Sequence, residues 1–145
     1  LVEPLARVLV SLGVQRGMVV YGECVLDELS CAGPTKACEF GGGDFHAPAL
    51  RTYELTPEQF GMARCTRDDL RGGSPEENAQ ITRDILSGAE RGCRRDTVVL
   101  NAAAGLYIAG AVPSLRDGVA RANELIDTGA ATVKLNAYIQ ASNAQ

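Results

Sequence analysis

The interpretation of the chain rests on one segment, Met18-Val19-Val20-Tyr21-Gly22-Glu23-Cys24-Val25-Leu26-Asp27-Glu28-Leu29-Ser30. Its first four residues are apolar, mostly β-branched or aromatic, and end at a glycine, which predicts a buried strand over residues 18–21. Two adjacent carboxylates, Asp27 and Glu28, follow just beyond the carboxyl end of that strand. In open α/β sheets this edge is where ligands bind, so the pair is the first candidate site.

The carboxylates of Asp27 and Glu28 can converge on one ligand only from irregular backbone, because neighbouring side chains diverge on helices and on strands. Such a pair suits a hard cation, since Mg²⁺ typically takes one or two carboxylates and completes its shell with substrate phosphates and water. The alternative is a solvated acidic turn. The residues alone favour that alternative, because charged residues lie mostly on protein surfaces.

Length and composition are those of one ordinary globular domain. The chain has 145 residues, of which 46% are hydrophobic and 22% charged. Its net charge of −4 argues against a nucleic-acid partner, because there is no basic stripe to neutralise phosphates. No apolar run reaches the length of a membrane span, so we expect no membrane partner.

The five cysteines form no Cys-x-x-Cys pair. Cys24, Cys31 and Cys38 are spaced by seven, but no histidine or further cysteine nearby completes a zinc site. We therefore expect all five to be reduced, as small hydrophobic residues or loop thiols in a cytoplasmic protein.

Helical periodicity and capping signals predict four or five helices. The first covers residues 3–12 and is expected to bury Leu5, Val8, Leu9 and Leu12 on one face. A capping box, residues 74–77, begins a second helix that ends near Ser87. A nearly all-apolar helix is predicted from Thr97 to about Ala109 with Asp96 as its N-cap. The last helical stretch, after Ser114, is one kinked helix or two around Gly129.

Strand signals are fewer. Residues 33–40 read as a second, weaker strand and residues 51–55 as a partly exposed third, with the glycine loop Gly41–Asp44 between them. Only the first strand is expected to be fully buried. A parallel sheet needs more strands than this, so the sequence predicts an α/β chain that lacks part of its sheet.

Three other features have limited functional content. Asn101 lies within the apolar helix, where its buried amide must find partners, so we expect it to tie the helix to a neighbouring loop. Gly41–Asp44 lacks the lysine and Ser/Thr of a phosphate-binding loop, and His46 has no serine or cysteine nucleophile beside it. The absence of a nucleophile–base constellation makes covalent catalysis or hydrolysis a poor fit.

Several phrases together resemble one family. They are Gly22 with Asp27-Glu28-Leu29-Ser30, Tyr53-Glu54-Leu55-Thr56-Pro57-Glu58-Gln59-Phe60-Gly61, Asp69-Leu70-Arg71-Gly72-Gly73-Ser74-Pro75-Glu76-Glu77-Asn78-Ala79, Leu100-Asn101-Ala102-Ala103-Ala104-Gly105-Leu106-Tyr107, and Gly118 to Lys134. In this order and spacing, over nearly the whole chain, they resemble the C-terminal portion of anthranilate phosphoribosyltransferase, from tryptophan biosynthesis. Tyr21 stands where many members of that family have histidine.

The resemblance implies an α/β fold in which residues 1–145 form the C-terminal part of the large domain of the nucleoside phosphorylase/phosphoribosyltransferase-like fold, a mostly parallel sheet flanked by helices. It implies transfer of the phosphoribosyl group of phosphoribosyl pyrophosphate to anthranilate, with Asp27 and Glu28 as the magnesium-binding pair. Two divergent carboxylates suit two Mg²⁺ ions. A cytoplasmic homodimer is the expected form of the intact enzyme.

The resemblance also implies what this chain does not contain. The family's glycine-rich phosphoribosyl pyrophosphate loop, its lysine-bearing loop, its anthranilate-binding arginine and its small helical domain have no match here. We therefore expect a fragment, or half of a split or cleaved enzyme, that is inactive alone. Two alternatives remain: a non-catalytic relative that acts as a nucleic-acid-binding or interaction module, and a nucleoside phosphorylase of the same architecture.

Overall fold

The computed structural model describes residues 1–41 and 49–144. The loop residues 42–44 and His46 lie outside those ranges. Within them there are five α-helices, which cover both faces of a small sheet, with short 3-10 turns at Pro57–Phe60 and Asp68–Leu70. In chain order the elements are α1 (Val2–Ser11), β1 (Gly17–Gly22), β2 (Thr35–Phe40), β3 (Arg51–Leu55), α2 (Pro75–Ser87), α3 (Cys93–Ile108), α4 (Leu115–Asp127) and α5 (Ala130–Ser142).

The sheet has the order β1-β2-β3, and both neighbouring pairs are antiparallel. Val19 of β1 pairs with Cys38 of β2, which pairs with Thr52 of β3. The mostly parallel sheet implied for the whole domain is therefore not what these three strands build. Parallel neighbours need a crossover, usually a helix, and no helix lies between these strands in the described part of the chain.

Burial within the sheet differs from the expectation. The second strand is the buried one: apart from Lys36, every residue of β2 is buried, whereas β1 is only half-buried and its Tyr21 is 44% exposed. The reason is position, because β2 lies between the other two strands. The β-branched content of β1 reflects strand propensity, which does not distinguish a central strand from an edge strand.

The first helix also packs on a different face from the one predicted. Ala6 is buried against Cys38 and Phe40, with Leu9 partly buried beside them. Leu5, Val8 and Leu12 are 53%, 52% and 75% exposed. The helix thus has two apolar faces. The sequence pattern predicted burial of the face with Leu5, Val8 and Leu12, but within the described residues the face with Ala6 is the buried one.

The main core lies where α3 crosses α4 and meets the sheet. It is formed by Leu29, Cys31, Ala37, Leu55, Met62, Val99, Leu100, Ala122 and Ile126. Gly118 marks the closest approach of the two helices, since a Cβ on it would lie 2.7 Å from the Ala103 carbonyl oxygen. A methyl group there would push the helices apart.

The third helix begins one turn earlier than predicted. Its N-cap is Gly92 rather than Asp96, and its first turn contains Arg95, a buried arginine. The guanidinium of Arg95 donates to Asn123 at 2.8 Å and to Asp127 at 2.9 Å. These contacts with α4 extend the helix backward, and local sequence does not reveal them.

The helix signals around residue 74 and residue 129 are confirmed. Ser74 accepts from the Glu77 backbone N–H at 3.3 Å, and the Glu77 carboxylate accepts from the Ser74 N–H at 2.7 Å, which completes the capping box. Gly88 ends that helix in a left-handed conformation. Gly129, with φ of 77°, separates α4 from α5, so the last helical stretch is two helices.

The expectation of five reduced cysteines is wrong for two of them. Cys65 and Cys93 form a disulfide with their Cα atoms 6.2 Å apart, and 28 positions separate them in sequence. Cys24, Cys31 and Cys38 are free, and the last two are buried. The pairing links the loop before α2 to the first residue of α3, a proximity that only the tertiary fold creates.

Among the described residues, none of the helices is both long and apolar enough to cross a lipid bilayer.

Candidate functional site

The acidic pair lies on irregular backbone, as its proposed role requires. The chain turns sharply after β1, where the Gly22 N–H donates to the Leu26 carbonyl at 2.9 Å and the Leu26 N–H donates back at 3.2 Å. Val25 in that turn has a φ of 64°, a left-handed conformation that β-branched residues rarely adopt. Asp27 and Glu28 follow in consecutive bends.

Asn101 fixes the far side of this loop to α3. Its Oδ1 accepts from the Leu29 N–H at 3.1 Å, and its Nδ2 donates to the Leu29 carbonyl at 2.7 Å and to the Thr97 carbonyl at 2.9 Å. The Cys31 N–H, two residues further on, donates to Thr97 Oγ1 at 3.4 Å. The expectation that Asn101 ties its helix to a loop is confirmed, and that loop is the one directly after the acidic pair.

The side chains of Asp27 and Glu28 are both exposed. Partial burial, and then the neighbouring Asp27 carboxylate, raise the pKa of Glu28 above its ordinary value. A cation would relieve both costs, because it neutralises two carboxylates that otherwise repel each other.

The donor set fits Mg²⁺ better than a metal that needs an all-protein cage. Within residues 1–41 and 49–144, no group of three or more His, Cys, Asp or Glu residues is placed to hold an ion. Two exposed carboxylates leave most coordination positions to water or to a phosphate ligand, which is the usual arrangement for Mg²⁺. The residues present therefore fit that metal.

Two cavities flank the acidic pair. The larger, of about 480 Å³, is lined by Leu26, Arg67, Asp68, Leu70 and Arg71. The smaller, of about 260 Å³, includes Glu28 in its wall together with Leu70, Arg71 and residues of α2 and α3. Leu70 and Arg71 therefore lie between the two cavities, and the residue before Asp27 lines one of them.

A second carboxylate, Glu39 on β2, was not singled out by the sequence. It is 8% exposed and accepts hydrogen bonds from Tyr107 at 2.7 Å, from Tyr53 at 2.9 Å and from Arg51 at 3.1 Å. Burial alone would raise its pKa, but these three hydrogen bonds outweigh that effect and lower it. Arg16 lies over the Tyr107 ring, 4.6 Å from its centroid.

This cluster is complete in itself. Every oxygen of the Glu39 carboxylate has a donor, and the hydrogen bond to Glu39 raises the pKa of Tyr107 in turn. The only sequence signal was a glutamate between two apolar residues, Cys38 and Phe40, in the second half of a strand. We assign it a structural role, because both of its oxygens already accept hydrogen bonds from side chains of the fold.

Comparison with known proteins places this geometry in a family. Residues 1–132 match the family described as "Glycosyl transferase family, a/b domain". The chain belongs to that family. The match covers both the acidic loop and the helix that anchors it.

Two similar relatives are both named anthranilate phosphoribosyltransferase. The chain is 47% identical over 143 residues to anthranilate phosphoribosyltransferase of Methanobrevibacter smithii and 48% identical over 143 residues to that of Ruminiclostridium cellulolyticum. The alignments cover 99% of this chain but 41% and 40% of those proteins. The chain thus spans about two fifths of the length of the curated relatives it matches, and the resemblance drawn from its motifs is confirmed.

Solved structures confirm the α/β fold of this glycosyl transferase family. Anthranilate phosphoribosyltransferase of Thermus thermophilus superposes with a TM-score of 0.83 at 42% identity, over 96% of this chain and 39% of that one. The Saccharomyces cerevisiae enzyme, described as a complex with PRPP and Mg, gives a TM-score of 0.78 at 24% identity, over 91% and 38%. At that identity the likeness shows the shared fold alone.

Proposed function

We propose that residues 1–145 contribute the C-terminal part of the large α/β domain to an anthranilate phosphoribosyltransferase of tryptophan biosynthesis. The observation that carries this proposal is the identity of 47% and 48% with two enzymes of that name across 99% of the chain. Identity this high over the acidic loop, the α3 anchor and the helices between them supports a shared activity rather than a shared fold alone.

In the proposed reaction the amine nitrogen of anthranilate bonds to C1 of phosphoribosyl pyrophosphate. The bond from C1 to the pyrophosphate oxygen breaks, pyrophosphate leaves, and the amine loses a proton. The product is N-(5-phosphoribosyl)anthranilate. No covalent enzyme intermediate is required, so catalysis rests on positioning the substrates and stabilising the charge that develops on the leaving group.

Asp27 and Glu28 would hold the metal, and we propose two Mg²⁺ ions because neighbouring carboxylates diverge. When bound, Mg²⁺ offsets the negative charge of the departing pyrophosphate. The Saccharomyces cerevisiae enzyme of the same fold is described with both PRPP and Mg. Asn101 would not contact the metal. It orients the backbone at Leu29, the residue that directly follows Asp27 and Glu28.

The test uses the intact enzyme with Asp27→Asn and Glu28→Gln variants. We expect each to need at least about tenfold more Mg²⁺ for half-maximal activity, since loss of one metal ligand removes a charge-assisted bond. Mn²⁺ binding followed by electron paramagnetic resonance gives a second measurement that does not depend on turnover.

Glu23→Gln is the matched control, because Glu23 lies in the same loop but pairs with Lys36 at 3.4 Å. It should leave both measurements unchanged. Unaltered Mg²⁺ dependence and Mn²⁺ affinity in the Asp27 and Glu28 variants would refute the assignment of these residues as ligands.

We further propose that the intact enzyme is a homodimer in the cytoplasm, where its phosphorylated sugar substrate would be made. The 145-residue chain alone should form no product. Asp27 and Glu28 would bind only the metal, and the family's loops for phosphoribosyl pyrophosphate have no match in this chain. Coupled fluorescence detection of phosphoribosylanthranilate would show this, and turnover by the isolated chain would contradict it.

The two alternatives have less support. The relatives reported above are all phosphoribosyltransferases, so nothing specific favours a nucleoside phosphorylase. Phosphate-dependent cleavage of a nucleoside, without phosphoribosyl pyrophosphate, would be needed to revive it. A nucleic-acid-binding role would require a basic surface that a net charge of −4 does not supply.

A further inference from the structure

The segment between Cys65 and Ser74, here called the arginine loop, lies beside the acidic pair. It supplies most of the wall of the larger cavity, where Arg67 and Arg71 accompany Leu26, the residue before Asp27. Arg71 also borders the smaller cavity, which Glu28 lines. The two arginines and Glu28 thus line neighbouring cavities, and Asp27 directly follows Leu26 in the chain.

The arginine loop is held in place although its side chains are exposed. The Cys65 N–H donates to the Cys31 carbonyl at 3.0 Å, and the Cys65 side chain is bonded to Cys93 of α3. At the other end, Arg94 of α3 donates to the Arg71 carbonyl at 2.8 Å. A fixed backbone lowers the entropy lost when an arginine side chain orders on a ligand.

Both arginines are available to an external anion. None of the ion pairs among residues 1–41 and 49–144 involves Arg67. Arg71 pairs with Asp68 at 3.3 Å, but the two side chains are 79% and 84% exposed. Ion pairs this exposed contribute little, so a phosphate group with more charge and a bidentate geometry would displace Asp68.

We infer that Arg67 and Arg71 form an anion subsite for the diphosphate group of the substrate, beside the carboxylates that hold its metal. The inference rests on the proposed function and adds specificity residues to it. A diphosphate carries several negative charges, and magnesium at the acidic pair neutralises only part of them. Arginine supplies the remaining charge in a planar, bidentate form that matches phosphate oxygens.

The cavity is large enough for this role. Its volume of about 480 Å³ falls within the range of roughly 300–1,000 Å³ typical of small-ligand sites.

The experiment measures binding of inorganic pyrophosphate, with Mg²⁺ present, to the intact enzyme by isothermal titration calorimetry. The test variant is the double substitution Arg67→Gln and Arg71→Gln. The control is the double substitution Arg83→Gln and Arg121→Gln, which removes the same charge from exposed positions on α2 and α4. Thermal melts of both should match the parent enzyme.

We expect the test variant to bind pyrophosphate at least about tenfold more weakly and the control to stay within about twofold. The KM for phosphoribosyl pyrophosphate should rise with it, while the KM for anthranilate should not change. Equal pyrophosphate affinity in the two double variants would overturn the inference.

The two proposals fail in different ways. If the parent enzyme makes no phosphoribosylanthranilate yet binds pyrophosphate through Arg67 and Arg71, the activity is wrong and the subsite is right. If the parent enzyme is active and the test variant binds pyrophosphate like the control, the activity stands and the subsite is wrong.

Discussion

Glu28 and Glu39 lie near opposite ends of the β1–β2 pair, and the protein treats them in opposite ways. Glu39, opposite Met18 in the register, is buried and accepts three side-chain hydrogen bonds that lower its pKa. Glu28, just past the other end of β1, is exposed beside a like charge, and its pKa is raised. The fold supplies three donors to Glu39, whereas Glu28 is the carboxylate for which we propose a ligand. Burial and the number of side-chain donors both separate these two acids: Glu39 is buried with three donors, and Glu28 is exposed beside another carboxylate.

Among the substitutions that test this contrast, we expect the one at Glu39 to have the largest effect on stability. Glu39→Ala removes the acceptor shared by Tyr53, Tyr107 and Arg51, and we expect it to lower the free energy of unfolding by about 3 kcal/mol. Urea denaturation followed by circular dichroism measures this. Glu54→Ala, at an exposed position on β3, should cost less than about 0.5 kcal/mol.

Equal costs at positions 39 and 54 would show that the Glu39 cluster contributes no net stability. The Mg²⁺ dependence of the intact enzyme should be the same in both variants, because neither residue lies at the acidic loop.

Substitution of Asn101 should affect both the stability of the fold and the position of the acidic loop, because Asn101 binds Leu29 directly after the acidic pair. Asn101→Ala leaves the Leu29 N–H and carbonyl and the Thr97 carbonyl without their partner, and we expect a loss of about 2 kcal/mol. Unlike the Glu39 variant, it should also weaken Mn²⁺ binding, because the loop that carries Asp27 and Glu28 loses its anchor. If the Asn101→Ala protein is destabilised but binds Mn²⁺ as tightly as the parent, Asn101 does not position Asp27 and Glu28 for the metal.

Ser74 provides a smaller reference value, for a local interaction at the start of α2. Ser74→Ala removes one half of the capping box of α2 and should cost about 1 kcal/mol in unfolding free energy. Ser74→Asp, which keeps a capping oxygen, should restore most of it. Failure of aspartate to restore stability would mean that the hydroxyl acts through another contact.

The smallest effects are those of pH, and their signs differ. Because the folded-state pKa of Glu39 is lowered, its contribution is present above the unfolded pKa and is lost as pH falls through the folded pKa. Because that of Glu28 is raised above 4.5, folded protein holds its proton more tightly, and stability relative to Glu28→Gln falls as pH rises from 4.5 to the raised value.

Unfolding free energies of the parent, Glu39→Gln and Glu28→Gln proteins, measured across the acidic range, would show the two opposite slopes. The same slope for both substitutions would contradict the contrast between the two carboxylates.

Sequence could predict the features whose causes are local. The capping box at Ser74 follows from neighbours within a few residues. Gly129 marked a kink or a break in the last helical stretch, and the sequence left the choice between them open. Asn101 was predictable because a buried amide demands partners, although its actual partner, Leu29, was not.

What sequence could not predict depends on neighbours that are distant along the chain. The burial of β2 follows from strand order, the early start of α3 from Arg95 meeting Asp127, and the Cys65–Cys93 bond from the packing of a loop on a helix. The Glu39 cluster was missed for the same reason, since Tyr107 approaches it from α3. The exposed face of α1 was misread because two faces of that helix are apolar.

The central place of β2 has a consequence for hydrogen exchange. Residues Thr35–Glu39 are paired on both sides, with β1 and with β3, so their amides can exchange with deuterium only when a flanking strand separates or the whole sheet opens. We expect these amides to be among the slowest to exchange, and those of the half-buried β1 to be faster. The exchange rates of these slow amides would then report the free energy of global unfolding, so that β2 can be used to measure the stability of the whole fold.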